Sequence, residues 1–230
     1  MRLIRLIANL GYGSQREVKA MLRAGRLTLA DGTELAESSR VEHADIRLDG
    51  EVLDPPQGMV LMLNKPQGYT CSTSDPGRIV YELLPPRFMR RNPVVAPVGR
   101  LDRDTTGLLL LTDDGDLLHR LTSPKHHVPK TYDVTLARPL TGDEGELFAS
   151  GTLLLRSETT PLLPAMLKAT GDCSARLTIT EGRYHQVKRM FAATGNHVES
   201  LHRSAIGGLG LGDLPEGQWR FLTADEVAGL

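Results

Sequence analysis

Apolar positions follow two different rhythms along this chain. Near the N-terminus Leu3, Ile4, Leu6, Ile7 and Leu10 recur at helical spacing, and Gly11-Tyr12-Gly13 ends the run, predicting a first helix. Ser14, with Glu17 three residues on, matches a capping box and opens a second helix. That helix should bury Val18, Met21 and Leu22, expose Arg16, Lys19 and Arg23, and stop at Gly25. Short strands are predicted at 26–30 and 45–48, joined through the Asp31-Gly32 turn. At Asp54-Pro55-Pro56-Gln57-Gly58 consecutive prolines suit neither a helix nor a central strand, and the pattern beyond changes to short apolar runs. Strands are predicted at 60–63, 94–98, 108–111, 131–137 and 176–180, and helices at 117–121, 143–149 and 184–193. The expected organisation is a small module over residues 1–57 and a larger unit over 58–230, of α+β class and without internal repeats.

Composition narrows the class. A chain of 230 residues with a 40% hydrophobic fraction can bury a real core. No stretch approaches the ~18 uninterrupted apolar residues of a membrane span, and Arg2 and Arg5 precede no long apolar segment, so a cytoplasmic protein without a membrane partner is expected. Cys71 and Cys173 lie far apart and outside any Cys-x-x-Cys pair, which favours two reduced thiols. No exposed heptad or long apolar edge argues for assembly, and a monomer is expected. The formal net charge of −1 hides a local segregation. Residues 1–30 carry six basic side chains against one acidic, whereas residues 31–57 carry eight acidic against two basic. A basic face meant for phosphate is one reading of that pattern, and a solvated helix face is the other.

The segment Gly99-Arg100-Leu101-Asp102-Arg103-Asp104-Thr105-Thr106-Gly107 is polar and lies between the apolar runs 94–98 and 108–111. A turn there lifts Asp102 toward solvent or substrate, and Arg100 and Arg103 supply positive charge that keeps a carboxylate ionised, as a nucleophile or base must be. A surface turn with an incidental Arg/Asp cluster is the alternative. Tyr132 shares one strand face with Val134 and Leu136, as ordinary core or as a ring that stacks on a base with its hydroxyl free for proton transfer. In a helix starting at Tyr184, Val187, Met190, Phe191 and Thr194 face inward. His185 and Lys188 then stand together at i and i+3, with Gln186 and Arg189 paired the same way, making one cationic edge near the helix N-terminus. His126 and His127 are neighbours without a carboxylate or cysteine at ligand spacing, and the glycines of 207–210 form no phosphate-binding fingerprint. No metal and no nucleotide cofactor is therefore expected.

Two resemblances add to this reading. The order helix, turn, basic helix, then Arg26-Leu27-Thr28-Leu29 resembles the small RNA-binding module shared by a small-subunit ribosomal protein, tyrosyl-tRNA synthetases and several RNA-modifying enzymes. Four ordered motifs span most of the rest: Asn64-Lys65-Pro66-Gln67-Gly68-Tyr69; Gly99-Arg100-Leu101-Asp102 with Thr105-Thr106-Gly107; Lys130-Thr131-Tyr132; and Glu181-Gly182 with His185-Gln186-Val187-Lys188-Arg189-Met190. Together they closely resemble the RsuA-type pseudouridine synthases, a bacterial family that isomerises uridines in ribosomal RNA. The resemblance implies a catalytic domain with a mostly antiparallel sheet flanked by helices. It implies Asp102 as the essential carboxylate, Lys188 as its basic partner, Tyr132 as the residue that stacks on uracil, and Arg100 as the arginine that holds the flipped nucleotide. Arg103, Arg183 and Arg189, with Arg16, Lys19 and Arg23 of the basic helix, are the expected RNA contacts. The segments 122–127 and 201–208 look most like the member acting on small-subunit RNA, so the implied partner is ribosomal RNA or a small-subunit assembly intermediate, with uridine 516 of 16S RNA as target. A synthase of 23S RNA, a non-catalytic ribosome-assembly protein on the same scaffold, and a glycosidic hydrolase are the alternatives; for the last, no second carboxylate stands out as an acid partner.

Overall fold

The computed structural model describes residues 2–230. Its N-terminal helices are α1 (Leu3–Asn9) and α2 (Gln15–Arg23), and the capping box forms: Ser14 Oγ accepts from the Glu17 amide while Glu17 Oε2 accepts from the Ser14 amide at 2.6 Å. Leu3, Ile7, Val18 and Leu22 are buried together with Leu27, Ile46 and Leu53 in a cluster of their own, and Met21 packs against it. Three short antiparallel strands complete this part in the order β1 (Leu27–Thr28), β2 (Arg47–Leu48), β3 (Glu51–Val52). The Asp31-Gly32 turn folds Glu34 back onto Thr28 instead of leading straight into β2, a correction to the expected connection. Both residues of β3 are exposed, so it carries no apolar signal.

The proline-rich junction is clamped. Asp54 is buried and takes a bidentate bond from Arg87 at 2.5 and 2.8 Å, and its amide donates to the Tyr12 hydroxyl. Arg91, buried against Asp113 at 2.7 Å, also donates to the Pro55 carbonyl. The Asn92 amide donates to Asn9 at the end of α1.

Beyond it lies one large sheet. Its strands are β4 (Val60–Lys65), β5 (Ala96–Pro97), β6 (Thr106–Thr112), β7 (Lys130–Leu136), β8 (Met166–Gly171), β9 (Ser174–Ile179), β10 (Val198–Ile206), β11 (Leu209–Gly210) and β12 (Trp219–Phe221). The main path runs β12-β4-β6-β10-β7-β9-β8, with β5 added to β6 and β11 to β10; every pairing is antiparallel except β6 with β10. The helices are α3 (Gly115–Thr122), α4 (Glu144–Ala149), α5 (Gln186–Ala193) and α6 (Ala224–Ala228). The unbroken leucine run of β6 has a simple cause, since both faces of that strand are covered. Leu109 and Leu111 join the larger core with Leu61, Leu63, Phe148 and Phe191, while Leu108 and Leu110 join a second core with Val60, Met62, Leu117 and Leu121. The strand expected at 94–98 is only two residues long, because Val94 is exposed and Pro97 has no N–H to extend the ladder. Among the described residues no helix is long and apolar enough to cross a membrane.

Candidate active site

The polar segment 99–105 links β5 to β6 and turns sharply at its end, where the Thr105 amide donates to the Asp102 carbonyl at 3.1 Å. The stretch that follows β4 cradles it from behind. Lys65 is fully buried, and its ammonium donates to the carbonyls of Thr105 at 2.8 Å, Pro66 at 3.1 Å and Arg103 at 3.4 Å. The Gly68 amide donates to the Arg103 carbonyl, and the Leu101 amide to Cys71 Sγ. Burial pulls the Lys65 pKa down against the opposing influence of Cys71, Asp104 and Asp102, so three backbone dipoles stand in for the water this cation has lost. Gly107 admits β10 beside the turn: a side chain there would run into the Arg203 carbonyl, and its φ of 99° favours glycine.

Helix α5 brings the second half of the site. Lys188, within its first turn, reaches Asp102 Oδ2 at 3.0 Å and Asp104 Oδ1 at 2.6 Å. Burial alone would lower the Lys188 pKa, but the two carboxylates outweigh it and raise it; burial likewise disfavours the Asp104 anion, and Lys188 more than reverses that, lowering the Asp104 pKa. His185 stands on the other side of the aspartate, Nε2 at 3.4 Å from Oδ1, which is long for a charge-assisted bond. One carboxylate oxygen is thus held by lysine and the other is lightly occupied. The helix begins at Gln186 rather than Tyr184, because His185 sits in the left-handed region at φ 49°, at a cost of about 1–2 kcal/mol for a residue with a Cβ. Gln186 is buried, donating to Glu181 Oε1 and accepting from the Arg183 amide, so it does not share an exposed edge with Arg189.

These groups surround a cavity of about 260 Å³ whose walls include Arg100, Asp102, Tyr132, His185 and Lys188. A base of a nucleic acid could approach Asp102 in this recess only by leaving its stack. Tyr132 is buried in the wall on the same strand face as Val134 and Leu136. Arg100 lies exposed at the rim, and Arg103 is exposed and tied to the Gly68 carbonyl at 3.3 Å. Arg183 and Arg189 are placed differently from a pair of open phosphate contacts. Arg183 bonds Glu181, Glu158 and the carbonyls of Thr160 and Pro161, and Arg189 bonds Glu158 and the carbonyls of Arg156 and Tyr184. Their positive charge is spent on holding segment 156–161 to the start of α5. On α2, Arg16 and Arg23 are exposed while Lys19 pairs with Glu37 at 3.3 Å.

Three residues of the site carried no assignment from sequence reasoning. Asp104 was legible in principle, two positions from Asp102 in the same turn. Lys65 and the almost fully buried Arg203, whose Nε donates to the Leu108 carbonyl at 2.7 Å, were not, since charged side chains are rarely interior.

A family model described as RNA pseudouridylate synthase matches residues 59–193, which include Arg100, Asp102, Tyr132, His185 and Lys188. The chain belongs to that family. The synthase is 50% identical over 193 residues to ribosomal small subunit pseudouridine synthase A of Escherichia coli strain K12, covering 82% of this chain and 81% of the relative. It is 46% identical over 237 residues to the protein of the same name from Yersinia pestis, covering 100% and 98%. A crystal structure of a pseudouridylate synthase superposes with a TM-score of 0.70 at 42% identity, covering 100% of this chain and 99% of the other. The synthase is thus an RNA isomerase of the RsuA type.

Proposed function

We propose that this synthase converts one uridine of small-subunit ribosomal RNA to pseudouridine, with uridine 516 of the 16S RNA as its target, and that it works in the cytoplasm as a monomer of two units, 1–57 and 58–230. The contact between Asp102 and Lys188 carries the mechanistic part, because it holds a carboxylate in place in the wall of the cavity. The names and 46–50% identity of the relatives support small-subunit RNA as the substrate.

The reaction breaks the bond between ribose and the uracil nitrogen and rejoins the sugar to a ring carbon. The carbon loses its hydrogen and the nitrogen gains one, so product and substrate have equal mass and a tritium label on that carbon is released. Asp102 is the group that engages the nucleotide, through attack on sugar or base or removal of a ribose proton, and its lightly occupied oxygen Oδ1 is the one available. Lys188 holds the other oxygen, Oδ2, at 3.0 Å. Tyr132 lies against the base, and Arg100 at the rim holds the nucleotide out of its stack, a step that costs a few kcal/mol.

The test is Asp102→Asn, which replaces the anion with a neutral group of the same size. The variant is expected to keep its circular-dichroism spectrum and RNA affinity while tritium release from labelled ribosomal RNA falls to background. Release at the normal rate would exclude Asp102 as the catalyst. Pseudouridine mapping on RNA from a deletion strain then names the target: loss at uridine 516 supports the reading, and loss in 23S RNA replaces it.

A further inference from the structure

Tyr184 is the most exposed aromatic side chain of the site, at 74% of its full accessibility, although such rings ordinarily gain by burial. Its ring lies flat on the imidazole of His185, with centroids 3.8 Å apart and planes at 17°. His185 in turn lines the cavity and approaches the Asp102 carboxylate. The ring therefore stands one stacking layer away from the side chain that faces the reacting group. Its backbone is pinned: the Tyr184 carbonyl accepts from Arg189, the neighbouring Arg183 amide donates to the buried Gln186, and both arginines are anchored to Glu158. An exposed ring on so firmly held a backbone is a preorganised surface, because little conformational freedom remains to be lost when something stacks on it.

We propose that Tyr184, backed by His185, is the stacking platform for the unpaired base adjacent to the target uridine in the RNA chain. The occupant follows from the chemistry of the place. When one nucleotide enters the cavity beside Asp102, its neighbours remain covalently attached at the mouth with at least one base face newly uncovered, and an aromatic ring accepts such a face whatever the base. Tyr184 is thus a positioning residue that holds the strand in its opened form while Asp102 acts. The continuous stack of base, Tyr184 and His185 also limits how far the imidazole can swing from the carboxylate.

This inference rests on the reading of the Asp102 site as the place of isomerisation, and the experiment separates the two. Full-length wild type, Tyr184→Ala, Tyr184→Phe and Asp102→Asn are assayed on a ribosomal RNA fragment, alongside fragments carrying an abasic residue on the 5′ or the 3′ side of the target. Tyr184→Ala is expected to raise KM about tenfold, in line with the loss of one base–aromatic stack, with kcat changing far less; Tyr184→Phe recovers most of the loss because it keeps the ring. One abasic fragment is expected to penalise wild type about tenfold and Tyr184→Ala hardly at all. A KM for Tyr184→Ala within twofold of wild type, or abasic penalties that simply add to the Tyr184→Ala loss, would overturn the platform. If Asp102→Asn kept normal turnover, the underlying reading of the site would fall instead. Melting temperatures of the variants identify any loss that is only structural.

Discussion

Lys188 serves two carboxylates at once, and that decides how the site responds to substitution. Asp104 holds the ammonium at 2.6 Å and Asp102 at 3.0 Å, so the lysine is fixed from one side while it neutralises the other. Lys188→Met removes the cation in direct contact with both acids. Turnover in a single-turnover tritium assay is expected to fall about a hundredfold, near 2.7 kcal/mol of barrier. Asp104→Asn keeps the Asp102–Lys188 contact and is expected to cost less than about fivefold, since a partly exposed pair is screened by solvent. Equal losses for the two variants would mean that Asp104 touches the reaction itself. The arginines make the complementary point: Arg100 stays open at the rim, while Arg183 and Arg189 are drawn into a lattice around Glu158 that nothing in their sequence neighbourhood announces.

At the scale of elements, the short 3₁₀ turn of residues 80–83 braces the loop that enters the site. Tyr81 there is buried and donates to the Val95 carbonyl at 2.7 Å, just ahead of β5. Burial pushes its phenol up to about 12, so the fold favours the neutral form. An unfolded phenol ionises near pH 10, and the folded protein therefore holds the extra proton between about 10 and 12. The stabilisation is fully present below about pH 10 and is lost as pH rises through about 12. Urea midpoints followed across this range should fall for wild type and flatten for Tyr81→Phe, which at neutral pH should itself lose about 1 kcal/mol for the vacated carbonyl. The same scale shows which strands were legible. Those with both faces buried, such as β6, or with clean alternation, such as β7, could be read directly. Strand β10 could not: bulges between Val198 and Ser200 and between Arg203 and Ala205 place its buried side chains at 198, 201, 203 and 206, which breaks the period of two. Strand β8 is mostly exposed, with Met166 at its start, and β12 is three residues long.

Across the whole molecule, the basic helix and the cavity are held in one arrangement by the clamp at Asp54. Arg87 bonds that carboxylate and lies over the Tyr12 ring at 5.4 Å, so the N-terminal helices cannot reorient without breaking a partly buried ion pair. The exposed cations Arg16 and Arg23 on α2 are then held in a fixed position relative to the cavity. If Arg16 and Arg23 each contact a phosphate, the double Ala variant should reduce the slope of log affinity against log salt by about 1.4 to 1.8. Filter binding at several salt concentrations measures this, and an unchanged slope would leave α2 as a solvated face.

What the sequence determined by itself was local. The capping box at Ser14, the doubly buried strand at Leu108–Leu111, the exposed turn around Asp102 and the closeness of His185 and Lys188 at the start of α5 each depend on residues within a few positions of one another, where backbone geometry dictates who meets whom. Tertiary structure decided the partnerships. Lys188 lies 86 positions from the aspartate it holds, and the pairing exists because α5 packs on β10, which pairs with β6 just where the turn around Asp102 enters that strand. Burial of Lys65 and Arg203 was likewise settled by carbonyls whose positions no side-chain pattern encodes. Each buried cation is tolerated only where folded backbone dipoles replace its water.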